Sequence, residues 1–211
     1  SMDVSHDHGE SRIAAPSPVA LALQHLARTT PDRMAAADDE RSLTFAELDA
    51  EVGAAAARLA TLPTPRQSRD TVCGAGPILP IIVDRSVRSV IAVHAAVRAG
   101  RAFTPIESTL PAARVEEMFF RLEAPVHALV ADPASKALLP PWVRVLDVDG
   151  LDSSARLDDP VAVDPEAPGC VVFTSGSTGR PKGVVRNWAA HMEKLNRESR
   201  GAGLIAQVRP F

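Results

Sequence analysis

The chain has 211 residues, 45% of them hydrophobic and 23% charged, with a formal net charge of −3. That composition suits one domain with a real core and excludes disorder as the main state. The slightly acidic balance gives no general attraction to nucleic acid, and the longest apolar runs are too short to cross a bilayer.

Ser1 and Met2 read as a tag scar, and residues 1–16 as a disordered tail in which His6 and His8 are solvated. Ser17 followed by Pro18 predicts a helix start, with Leu21, Leu23 and Leu26 running on to Pro31. A short strand over 34–37 and a turn over 38–41 come next. Thr44 with Glu47 forms a capping box, Leu43 can pack onto Leu48, and Leu48, Val52, Ala55 and Leu59 share one face of the helix so opened. Residues 62–77 predict a loop, and Ile78 to Asp84 a buried strand. Ser86 caps a helix carrying Val90, Ile91, Val93 and Val97 that stops at Gly100. A strand over 102–106 follows, then a helix opened by Pro111 with Val115, Met118, Phe119 and Leu122 on one face, then strands over 126–131 and 143–148. This alternation predicts an α/β fold, a largely parallel sheet covered by helices.

From 151 to 168 the chain is acidic and irregular, with Asp152, Asp158, Asp159, Asp164 and Glu166. No apolar periodicity holds these side chains together, so the stretch reads as a solvated linker rather than a magnesium site. A strand over 170–173, a returning strand with Val184 and Val185, a helix over about 188–199 with Trp188, Met192 and Leu195, and a last strand from Leu204 complete the pass. The histidines lack zinc-site clustering, and Cys73 and Cys170 lack C-x-x-C spacing, so both cysteines read as buried thiols in a reducing compartment, the cytoplasm by default.

The string CVVFTSGSTGRPKG over 170–183 carries the chemistry. Thr174, Ser175, Ser177 and Thr178 offer hydroxyls to phosphate oxygens, Gly176, Gly179 and Gly183 permit close backbone approach, and Lys182 adds a mobile positive charge. A P-loop needs glycine before its lysine and Ser or Thr after it, where this chain has Pro181 and Gly183. The dinucleotide fingerprint also fails. Gly74 and Gly76 have Leu79 in the third place, and Gly201, Gly203 and Ala206 follow a predicted helix instead of a strand.

Phe173 through Val184 resemble the phosphate-binding signature of the adenylate-forming enzymes, the superfamily of acyl-CoA synthetases, nonribosomal-peptide adenylation domains and luciferases. Residues 42–52 are similar to an earlier segment of that family, and 84–114 to the one that amino-acid-activating domains write as AGGAYVPIDP with a later P-x-x-R. There Arg101, Thr104, Glu107 and Ser108 replace the usual small residue, valine, aspartate and proline. The resemblance implies the N-terminal half of a large adenylation subdomain over 17–211, truncated. It implies activation of an amino or other carboxylic acid with ATP and Mg²⁺, and a carrier-protein partner in the parent. Thr174, Ser175, Ser177, Thr178 and Lys182 become phosphate contacts, Gly176 and Gly179 shape the cradle, Lys182 is the catalytic candidate, Arg180 faces solvent, and no residue is assigned to metal. Adenine and ribose contacts would fall beyond Phe211, leaving the chain incomplete for turnover and prone to self-association through uncovered faces. An acyl- or aryl-CoA ligase and a non-catalytic interaction module stay open as alternatives.

Overall fold

The computed structural model describes residues 13–63, 78–123, 127–149, 154–175, 180–191 and 193. After β1 (Ala15–Pro16), α1 (Pro18–Thr29) opens with the Ser17 hydroxyl accepting from the Val19 N–H at 3.2 Å. The hairpin of β2 (Met34–Ala37) and β3 (Ser42–Thr44) leads into α2 (Phe45–Ala60), whose first turn closes as the expected capping box. Thr44 Oγ1 accepts from the Glu47 N–H at 3.3 Å, and Glu47 Oε2 accepts from the Thr44 N–H at 2.8 Å. Next come β4 (Leu79–Val83), α3 (Val87–Arg98), β5 (Phe103–Glu107), α4 (Ala112–Arg121), β6 (His127–Val130), a 3-10 turn at Pro133–Leu138 and β7 (Arg144–Asp147). The short β8 (Ala162–Val163) precedes β9 (Pro168–Ser175) and β10 (Pro181–Asn187).

Six strands form one sheet in the order β10-β9-β5-β4-β6-β7. Every neighbouring pair is parallel except β10 with β9. Parallel neighbours need crossovers, and the helices that supply them cover both faces. Successive residues of β4 therefore enter opposite cores. Ile81 joins Leu48, Val52, Leu59, Ile91 and Leu129 beneath α1 to α3, whereas Ile82 joins Ile106, Val115, Phe119 and Val130 beneath α4. The expected α/β architecture is present, and none of the described helices is long and apolar enough to span a membrane. Residues 64–77 of the expected loop, with Cys73, position 126, Met192 and the residues after 193 lie outside the described residues.

Two expectations change. The acidic stretch is in part a strap laid across the helices, with the Leu157 N–H donating to the Gly53 carbonyl at 3.0 Å and the Val161 N–H to the Arg98 carbonyl at 2.9 Å. Leu157, Val163 and Ala167 pack against the larger core. A strap bonded through its backbone needs no side-chain periodicity, which is why the sequence pattern hides it. The same strap recruits residues assigned to the tail, because Ala15 pairs with Val163 and Pro16 with Ala162. Gly100 accommodates the crossing. Its φ is +62°, and a Cβ there would come within 2.9 Å of Val161 Cγ1.

Beneath the strap lies a charge without water. Arg98, fully buried at the end of α3, pairs through Nη2 with the Asp49 carboxylate and donates through Nη1 to the Asp49 carbonyl at 3.3 Å. The second carboxylate oxygen of Asp49 accepts from Arg156 Nη2 of the strap at 3.2 Å. One turn earlier on α3, His94 Nδ1 has no hydrogen-bond partner among the described residues. Burial, and then the charge of Arg98, pushes His94 down to about 4.

Two outcomes follow from this layer. Asp49→Ala strands a buried guanidinium and should lower unfolding stability by about 3–5 kcal/mol. Urea denaturation at unchanged m reads it, and a loss no larger than the ~1 kcal/mol of an exposed pair would mean that water reaches Arg98. For His94, the folded protein binds the proton more weakly than the unfolded chain, so its neutral form favours folding above the ordinary value of 6.5, and that share is lost as pH falls to about 4. In His94→Gln this part of the acid sensitivity should vanish, as measured by denaturation midpoints across that window.

Candidate functional site

The C-terminal ends of parallel strands form the edge where open α/β sheets take ligands. At the end of β4 that edge is already satisfied internally. Asp84 Oδ1 accepts from the Ser86 N–H at 3.1 Å and from the Ser89 hydroxyl at 2.8 Å, while Ser89 Oγ accepts from the Asp84 N–H at 2.9 Å. These hydrogen bonds begin α3. A second carboxylate joins them, as Asp38 Oδ2 accepts from the Val87 N–H at 2.7 Å. The hydrogen bonds from Val87 and then Arg41 hold Asp38 below the ordinary carboxylate range.

The end of β9 is different. There the strand turns back into β10 in antiparallel register, with Lys182 opposite Thr174, Gly183 opposite Phe173 and Val184 opposite Val172. Directly opposed residues share a face. The exposed side chains of Thr174 and Lys182 therefore project together, and Thr174 Oγ1 donates to the Lys182 carbonyl at 3.5 Å. On the other face Phe173 packs against both smaller apolar clusters. Gly183 makes room there, because a Cβ would lie 3.1 Å from Val171 Cγ1 and 3.5 Å from Phe173 Cε1. The ribbon is thus anchored by its apolar face and presents a hydroxyl and an ammonium on the polar one.

Of the residues expected from sequence, Thr174 and Lys182 are brought together. Ser175 ends β9 opposite Pro181. Gly176, Ser177, Thr178 and Gly179 lie outside the described residues, and Arg180 is exposed as expected. Among the described residues no group of three or more His, Cys, Asp or Glu is arranged to hold a metal ion.

Sequence reasoning misses the residues that seat the ribbon. Trp188 lies against Gly169, where a Cβ would come within 2.7 Å of its ring, and the Trp188 N–H donates to the Ala167 carbonyl at 2.9 Å. Phe103 meets His191 edge to face at 5.4 Å between ring centroids. Thr104, fully buried in β5, donates its hydroxyl to the Val171 carbonyl at 2.7 Å. The one signal for it is a threonine where the resembled segment usually carries valine.

Comparison with known proteins matches this arrangement to the family described as AMP-binding enzyme, over residues 23–200. The probable non-canonical nonribosomal peptide synthetase CymA of Salinispora arenicola is 34% identical over 188 residues, which is 82% of this chain and 2% of that protein. The solved nonribosomal peptide synthetase FmoA3 with bound α-methyl-L-serine-AMP superposes with a TM-score of 0.68 at 23% identity, covering 89% of this chain and 20% of that one. The fatty acyl-adenylate ligase of L. pneumophila, in complex with acyl adenylate and pyrophosphate, gives 0.67 at 18% identity, covering 88% and 33%. The chain spans a small part of the relatives it matches. With its fold and most of its length accounted for in this way, the chain belongs to the AMP-binding enzyme family.

Proposed function

We propose that the β9–β10 ribbon seats the polyphosphate of ATP in an adenylation reaction that activates a carboxylic acid, an amino acid first among the candidates. The observation that carries this reading is the pairing of Thr174 with Lys182 on one exposed face, flanking a stretch of hydroxyls and glycines. In the reaction a substrate carboxylate oxygen bonds to the α-phosphorus of ATP, the α–β phosphoanhydride bond breaks, and pyrophosphate leaves with the electron pair. Charge grows on the departing oxygens. Lys182 neutralises it at the β- and γ-phosphates, the Thr174 hydroxyl donates to a phosphate oxygen, and Ser175, Ser177, Thr178 and the backbone at Gly176 and Gly179 complete the cradle. Magnesium, if it accompanies ATP, would supply further positive charge against the departing pyrophosphate, beside that of Lys182.

The activated acyl group would pass to a carrier-protein thiol, a step supported by likeness to nonribosomal peptide synthetases. A ligase for fatty or aryl acids is the second reading, favoured by the comparable superposition on the fatty acyl-adenylate ligase.

In the full natural chain containing these residues, Lys182→Ala should cut kcat/KM for MgATP by roughly tenfold to a hundredfold, the loss of one charge-assisted contact of about 1.5–3 kcal/mol. Its unfolding stability should stay within about 0.5 kcal/mol of wild type, because the side chain is exposed. Pyrophosphate exchange and urea denaturation check the two halves, and unchanged kinetics would remove the site assignment. The 211-residue chain by itself should give no acid-dependent pyrophosphate exchange. Exchange by it would place every essential group within these residues.

A further inference from the structure

We propose that Thr104 is a positioning residue for the phosphate-binding ribbon, setting the direction in which β9 leaves the sheet; the inference rests on the ribbon being the nucleotide seat. β5 and β9 share one register pair, Phe103 with Cys170, and no further pair joins them among the described residues. By contrast β4 and β5 remain paired from Leu79 with Phe103 to Val83 with Glu107. Past Cys170, β9 continues with β10 as its register partner, up to Ser175 opposite Pro181. A two-stranded ribbon twists more strongly than the interior of a sheet, so its course past Cys170 is set by contacts other than the ladder with β5.

At the point of divergence the Thr104 side chain replaces the missing ladder contact. Its Oγ1 donates to the Val171 carbonyl at 2.7 Å, in a place without water. Among the described residues the other donor to this carbonyl is the weak Cys170 Sγ at 3.9 Å, so the Thr104 hydroxyl is its strong partner and the bond resists being exchanged for solvent. Val171 lies three residues before Thr174, and its side chain fills the space left open by Gly183, one residue from Lys182. Fixing Val171 therefore fixes both strands of the ribbon. The contacts of Trp188 with Gly169 and of His191 with Phe103 secure the base of β9 before the divergence, Phe173 seats the apolar face beyond it, and the Thr104 bond fixes the main chain between the two. Thr104 is fully buried and contacts the reacting atoms only through β9, which makes its role one of alignment.

Thr104→Val keeps the branched shape and removes the hydroxyl, while Thr104→Ser keeps the hydroxyl. In the full natural chain, pyrophosphate exchange should show KM for MgATP rising by about tenfold in Thr104→Val, KM for the acid unchanged, and Thr104→Ser within about twofold of wild type. In the 211-residue chain, hydrogen exchange should quicken in Thr104→Val at residues 172–174 and 182–185 while the amides of β4 and β6 keep their protection. Equal loss for both substrates, or quickened exchange throughout the sheet, would make Thr104 merely structural and overturn the proposal. So would a Thr104→Val protein that behaves as wild type, while a Lys182→Ala effect in the same assay would leave the nucleotide seat intact. If Lys182→Ala is silent, the nucleotide reading falls, and altered exchange in Thr104→Val would then report ribbon alignment alone. Should Thr104→Val fail to fold, Thr104→Ser decides: wild-type protection of β9 supports the hydroxyl's role, and its loss refutes it.

Discussion

A guanidinium removed from water must have partners, and Arg98 finds them on α2, on a residue that the strap also engages. Asp49 on α2 supplies a carboxylate and a main-chain carbonyl, and the strap approaches through Arg156 on the same carboxylate and Val161 on the Arg98 carbonyl. A buried pair of this kind carries a desolvation cost that hydrophobic packing would avoid, but it tolerates few geometries. α2, α3 and the strap are thereby held in one arrangement over the sheet. The positive side chain also lies at the C-terminal end of α3, where the helix dipole favours it. Six residues further along, Thr104 reaches β9, so the helix layer and the ribbon are separated by one turn and half a strand.

Much of this architecture was legible in the residues. Ser17, the Thr44–Glu47 box, Ser86 and Gly100 mark helix boundaries through local hydrogen-bonding chemistry that tertiary context leaves intact. The buried runs of β4 and β6 mark central parallel strands because both of their faces are covered. The strap and β1 escaped because their bonds are made by backbone, which carries no side-chain signature. At the candidate site, the hydroxyl and glycine string was plain in the sequence, and the pairing of Thr174 with Lys182 needed the hairpin register. Thr104 was hidden for a different reason. A buried threonine in a strand has the outline of valine, and its hydroxyl acquires meaning through the neighbouring carbonyl.

The sheet edge divides its polar groups between two tasks. Asp38, Asp84, Ser86 and Ser89 join the end of β4 to the start of α3 through their hydrogen bonds. The tip of β9 and β10 keeps its hydroxyl and ammonium at the surface. Along the described edge, the end of β4 is bonded into the start of α3, whereas the ends of β9 and β10 present Thr174 and Lys182 outward.

Arg101 has a consequence of another kind. Its guanidinium collects the carbonyls of Leu59, Ala60 and Leu62 at the exit of α2, while the carbonyl of the next residue, Ala102, accepts from the Leu79 N–H at 2.9 Å. The departure and return points of the chain between Leu62 and Leu79 are therefore fastened to two consecutive residues. Closing a chain segment between two points already clamped costs an entropy that grows only slowly with the number of residues between them. The two clamped points hold α2 and β4 in place at either side of that interval, next to the register that joins β4 to β5.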